Sequence, residues 1–121
     1  METRLPTHLE IAGWLRSVQG RGGFGTVLKR GERSSGTVLL LTVRRGADAI
    51  LWERMPQLDG GRLFVPMSGK GLETGDAIAD YLARRTGGDP DLWVVEIDTD
   101  DPSGFVTQMV NRVDSASTGP I

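Results

Sequence analysis

The chain has 121 residues with 16 acidic and 14 basic side chains, a formal net charge of −2 and no cysteine. That length suits one domain able to bury roughly two thirds of its unfolded surface without a disulfide or metal staple. The near-neutral charge supplies no global field for a polyanion, so general nucleic-acid binding is disfavoured, and the missing cysteines remove thiol catalysis, thiolate metal sites and redox switching. Twelve of the basic residues are arginine, a bias that suits forked anion contacts but equally follows from base composition.

Met1-Glu2-Thr3-Arg4-Leu5-Pro6 lacks the apolar core of a signal peptide, and no apolar run approaches bilayer length. A cytoplasmic protein with no membrane contact is expected.

Thr7-His8-Leu9-Glu10 fits a capping box and predicts a helix start, with Ile11, Trp14, Leu15 and Val18 forming its apolar face. Gly20, Gly22 and Gly23 end it. Short strands are expected near Thr26–Arg30, at Gly36–Arg44, at Ala49–Met55 and at Arg62–Val65, joined by turn-like segments into an antiparallel meander. Val38 to Val43 is apolar at nearly every position, the mark of a strand covered on both faces. Asp59-Gly60 favours a tight hairpin. Thr74 precedes a second helix carrying Ala77, Ile78, Tyr81 and Leu82 inward, with Arg84, Arg85 and Gly87 at its end. Asp89-Pro90-Asp91 then turns the chain into Leu92–Asp98, where Trp93, Val95 and Ile97 share one face and Leu92, Val94 and Glu96 the other.

Two strands buried on both sides need cover on both sides. The expected fold is α/β, a three-layer α-β-α sandwich on a mixed, mainly antiparallel five-stranded sheet, with a two-layer α+β arrangement as the alternative. Residues 4–98 form the single α/β domain. Residues 99–121 form a C-terminal extension, with a short helix at 102–112 capped by Asp101 or Ser103 and a disordered tail.

Gly20-Arg21-Gly22-Gly23-Phe24-Gly25 matches a G-x-G-x-x-G pattern, but it closes a helix and opens a strand, the reverse of a dinucleotide fingerprint. Helix termination is the favoured reading. The alternative is a small anionic ligand, nucleotide or phosphate, held by the amides of Gly22, Gly23 and Gly25 with Arg21 and Arg30 as charge partners. Ser68-Gly69-Lys70-Gly71 resembles the end of a Walker loop, with Phe64 where the pattern needs glycine. His8 is the only histidine and has no second ligand with which to share a metal. Asp89, Asp91, Glu96 and Asp98 form a carboxylate-rich stretch, for which turn chemistry and a Glu96 pairing to Arg44 or Arg54 are favoured over Mg²⁺ or Ca²⁺. Trp14, Trp52 and Trp93 read as packing residues. A nucleic-acid contact, as the weakest option, would use Arg30, Arg33, Arg44 and Arg45.

Arg4-Leu5, Lys29-Arg30-Gly31-Glu32, Gly36-Thr37-Val38-Leu39-Leu40 and above all Asp89-Pro90-Asp91-Leu92-Trp93-Val94-Val95-Glu96-Ile97-Asp98 make residues 4 to 98 resemble a bacterial family catalogued as domain of unknown function 1491. The resemblance implies a small bacterial cytoplasmic protein and carries no activity, cofactor or catalytic residue. Thr99 onward lies outside it.

No catalytic set, metal site or cofactor is indicated. The function expected is a non-enzymatic interaction or regulatory module, with the stripe Phe105, Val106, Met109 and Val110 as the surface for a protein partner, Phe105 and Met109 foremost; the alternatives are that the stripe folds onto the domain or makes a homodimer.

Overall fold

The computed structural model describes residues 5–67 and 71–111, which hold three α-helices and five strands. The order is α1 (Thr7–Gly20), β1 (Phe24–Lys29), β2 (Val38–Arg44), β3 (Ala47–Pro56), β4 (Arg62–Pro66), α2 (Gly75–Gly88), β5 (Trp93–Asp98) and α3 (Pro102–Phe105), which runs on through a π-helical turn at Val106–Val110.

The strands form one mixed sheet in the spatial order β1-β5-β2-β3-β4. Only β2 and β5 are parallel; the other pairs are antiparallel. This corrects the expected four-strand meander, because β5 inserts between β1 and β2. The centre of the sheet is thereby built from the two most apolar strands, Val38–Arg44 and Trp93–Asp98, each flanked on both sides by another strand.

Alternation along β5 divides the core. Trp93, Val95 and Ile97 join Ile11, Trp14 and Val18 of α1 and Phe105, Val106 and Val110 of the last helix. Leu92 and Val94 face the opposite way, against Ile78 of α2, with Tyr81 and Leu82 alongside. Helices cover both faces, as a sheet with doubly buried central strands requires. Within the first layer Thr42 is fully buried, and its hydroxyl accepts from Trp52 Nε1 at 2.8 Å.

Tertiary contacts replace the expected capping box. The first free amides of α1 donate to a neighbouring loop, Thr7 N to the Ser34 carbonyl and His8 N to that of Arg33. The Thr7 hydroxyl donates to the carbonyls of Ser34 and Gly36. Glu10 therefore does not cap. It is buried, and its carboxylate meets Arg54 at 2.9 Å.

Turn chemistry sets the hairpins. Arg45 and Gly46 both have positive φ and form a two-residue loop between β2 and β3, the primed turn whose twist suits a hairpin. Asp59-Gly60 does not make such a turn. Gly60 N donates to Gln57 O and Gln57 N to Gly61 O, with Gly60 at positive φ, giving a three-residue loop closed by a glycine bulge.

The glycine run at the end of α1 is a helix stop. Gly23 N donates to Val18 O and Gly22 N to Gln19 O, with Gly22 at φ +85°, the Schellman arrangement. A Cβ at Gly23 would stand 2.4 Å from Asp98 O, and one at Gly25 would meet Leu15 Cδ2.

Candidate interaction surface

The acids of Asp89–Asp98 divide by what holds them. Asp89 Oδ1 accepts from Asp91 N and orders the turn. Asp98 accepts the backbone amides of Arg45 and Gly46 at 2.8 and 3.2 Å and so staples the β2–β3 turn to the end of β5. Glu96 does not pair with an arginine as expected: Arg44 meets Asp48 and Arg54 meets Glu10, while Glu96 lies half-buried in register between Thr26 and Leu41. Trp93 Nε1 donates to Glu32 O at 2.7 Å. The Glu32 carboxylate accepts the amides of Ser34 and Ser35. The backbone amides of Ser35 and Ser34 hold the Glu32 carboxyl below its ordinary value. Gly31 and Gly36 let this loop close on the Asp91 carbonyl, where a Cβ would come within 2.2 and 2.4 Å. The motif with the strongest sequence signal thus folds the chain, and among the described residues no group of three His, Cys, Asp or Glu could hold a metal ion.

The residues expected to hold an anion are not brought together. Arg21 precedes β1 and Arg30 follows it, so the six-residue strand keeps them roughly 20 Å apart. Arg30 stacks over Trp93, whereas Arg21 lies over Phe105 and reaches Met109 Sδ. The amides of Arg21, Gly22 and Gly23 are committed to the helix end, and Gly25 pairs with Ile97 inside the sheet. A cavity of about 290 Å³ does open beside the loop, lined by Arg21, Phe24, Arg45, Asp98 and Asp100 among others, but Arg45 is already paired with Asp100 at 3.1 Å. The four-arginine patch also separates: Arg33 contacts His8, Arg30 stands at one end of the sheet, and Arg44 and Arg45 stand at the other.

Phe105 and Met109 are located just as plainly. Phe105 is 2% exposed and Val106 and Val110 are buried, with Met109 packed against them, so this stripe faces the domain core. Its cap is Asp101, whose side chain accepts from Gly104 N. Ser68, Gly69 and Lys70 lie outside the described residues, as does the tail after Asn111.

The two edges of the sheet differ in a way the sequence did not announce. On β4, Asn111 Oδ1 accepts from Phe64 N at 2.7 Å and Asn111 Nδ2 donates to Phe64 O at 3.2 Å, so one side-chain amide takes up both backbone groups of the central residue of that strand. On β1 the only strand partner is β5, and no described residue hydrogen-bonds to the outer side of Phe24–Leu28. Phe24 is 71% and Leu28 50% exposed, with Thr26 exposed between them. The detectable signal for this surface was the alternation of large side chains at Phe24, Thr26 and Leu28. For Asn111 it was one amide at the end of an apolar helical stripe.

No functionally curated protein matches the chain. Among solved structures, a DUF1491 family protein from Caulobacter crescentus CB15 is similar to it in a crystal structure, with 31% identity, TM-score 0.75 and coverage of 86% of this chain and 96% of that one. A solution structure of an A. tumefaciens protein gives 31% identity, TM-score 0.70 and coverage of 87% and 94%. The family model described as "Protein of unknown function (DUF1491)" matches residues 5–107, which extends the resemblance past Asp98 to include the buried Phe105 and Val106. On this match and on the bacterial structures it resembles, the chain belongs to the DUF1491 family.

Proposed function

We propose that this protein is a non-enzymatic interaction module that takes up an extended polypeptide segment on the edge of β1. The observation that carries the reading is the contrast between the edges: Asn111 holds Phe64 on β4, whereas among the described residues none bonds the outer backbone of β1, which is flanked by exposed Phe24, Thr26 and Leu28. Natural sheets blunt their edges, and an edge left bare beside exposed apolar side chains suits strand addition, with main-chain bonds giving affinity and alternate side chains giving selectivity. This moves the expected contact surface from Phe105 and Met109, which serve the core, to the opposite edge of the sheet.

Anion binding at the glycine loop finds less support, because the loop amides are used internally and Arg21 and Arg30 do not converge. Among the described residues no helix is long and apolar enough to cross a membrane.

A photo-crosslinking residue placed at Leu28 in the native host tests the reading, with the same residue at exposed Arg84 on α2 as the comparison. Polypeptide adducts concentrated at Leu28 are expected. Adducts at neither position, or equally at both, would reject it.

A further inference from the structure

We infer that the segment taken up by β1 is β1 of a second copy of this chain, paired antiparallel about a two-fold axis through Thr26; this rests on the strand-addition reading above. A two-fold that joins two antiparallel edge strands stands perpendicular to the sheet, so one residue must face its own copy. The central positions of β1 offer Gly25, Thr26 or Val27.

Centring on Thr26 sets Phe24 against Leu28 twice, Gly25 against Val27 twice and Thr26 against Thr26. Aromatic–aliphatic and Thr–Thr pairs stabilise antiparallel strands, and like charges placed opposite destabilise them. Lys29 and Arg30 lie beyond the register shift that follows Val27 and so stay outside the pairing. Centring on Val27 would set Phe24 against Arg30, and centring on Gly25 would set Leu28 against Gly22. Only the Thr26 centre pairs the two most exposed apolar side chains of the strand with each other.

Lysine on an edge ordinarily discourages pairing. Here the Lys29 ammonium is turned back onto the carbonyls of Arg30, Pro90 and Leu92 at 3.3, 3.0 and 2.7 Å. The bulge falls at Leu28, where the register with β5 shifts between Val27 and Lys29, so the pairing runs no further than that residue. Asn111 already holds Phe64 at the other edge of each copy, and a two-fold contact that pairs the same strand with itself is closed, so association stops at two. A contact of one short strand from each copy belongs with the small interfaces, for which a dissociation constant of about 1–100 µM is expected.

Sedimentation of the full chain across that range tests the inference. A reversible shift from one to two chain masses is expected, and Phe24→Lys combined with Leu28→Lys should raise the dissociation constant at least tenfold with the melting temperature unchanged. The chain has no cysteine, which permits a direct probe of the axis. Residues opposite each other on antiparallel strands have Cα atoms roughly 4.5–5.5 Å apart, within disulfide range. Thr26→Cys should therefore oxidise rapidly to a disulfide-linked pair while Ala83→Cys on α2 does not. Equal oxidation at both positions, a monomer throughout the range, or species beyond two chains would overturn the inference. A monomer whose Leu28 crosslinks to a different polypeptide defeats the second copy but leaves strand addition standing. A monomer with no Leu28 adduct defeats both.

Discussion

Asn111 and Phe64, 47 residues apart, exchange two hydrogen bonds between one side-chain amide and one backbone position. The contact fastens the last helical turn to β4 and occupies the hydrogen-bonding groups that Phe64 would otherwise present to solvent or to another strand. Asn111→Ala should lower stability by about 1–3 kcal/mol, since two modest hydrogen bonds are lost and a partly buried amide is left unpaired. It also reopens the β4 edge, so assemblies larger than two chains should appear at high concentration. Thermal melting reads the first effect and light scattering the second; a variant that melts lower without associating further would separate the fastening role from edge protection.

Glu10 and Arg54 form an ion pair whose side chains are 7% and 12% exposed, with the guanidinium 4.5 Å from the centroid of the Phe64 ring. Removing Glu10 takes the carboxylate at 2.9 Å away from a guanidinium that is largely out of solvent. Glu10→Ala should cost about 3–5 kcal/mol of stability by chemical denaturation. Replacing both residues by apolar ones of similar volume should recover much of that loss, and a double replacement no more stable than Glu10→Ala would show that the pair itself is not the source.

Gly31 and Gly36 both approach the Asp91 carbonyl, where a Cβ would stand 2.2 and 2.4 Å away. The obstruction is backbone, so it cannot rotate aside. Gly31→Ala and Gly36→Ala should each destabilise by about 1–3 kcal/mol or more through overpacking. Gly87→Ala, where nothing lies within 4 Å, serves as the control and should be close to neutral. Comparable melting temperatures for all three variants would count against the close approach.

Glu32 gives a pH signature with a defined sign. The amides of Ser35 and Ser34 favour its charged form, so its folded pKa lies below the unfolded value of about 4.3. Stability from this group is fully present above the unfolded pKa and is lost as the pH falls through the folded pKa. Glu32→Gln should remove that part of the acid dependence, read as a shallower loss of melting temperature below about pH 4. An acid limb identical to that of the unmutated protein would exclude Glu32 as a contributor.

Much of the architecture was legible because it is encoded locally. Alternation in Leu92–Asp98 assigned each side chain to its face, and Thr74 announced α2, where its hydroxyl accepts from Ala77 N. Asp101 signalled the last helix in the same way. The reversed polarity of Gly20–Gly25 identified a helix stop, which the bonds from Gly22 and Gly23 back to Gln19 and Val18 provide. Such signals need only residues a few positions apart, and their chemistry is the same in any fold.

Strand order, the fate of charged residues and the state of each edge required the tertiary structure. The insertion of β5 between β1 and β2 joins segments separated by most of the chain, and no local pattern distinguishes it from a meander. Thr7 and Glu10 look like a cap in sequence, yet Ser34, Gly36 and Arg54 claim them once the chain is folded. The candidate surface follows the same rule. A strand near Thr26–Arg30 was legible from the residues, but only the folded sheet decided that it starts at Phe24 and lies at an edge, while Asn111 holds Phe64 on the other, because an edge is defined by the neighbour it lacks.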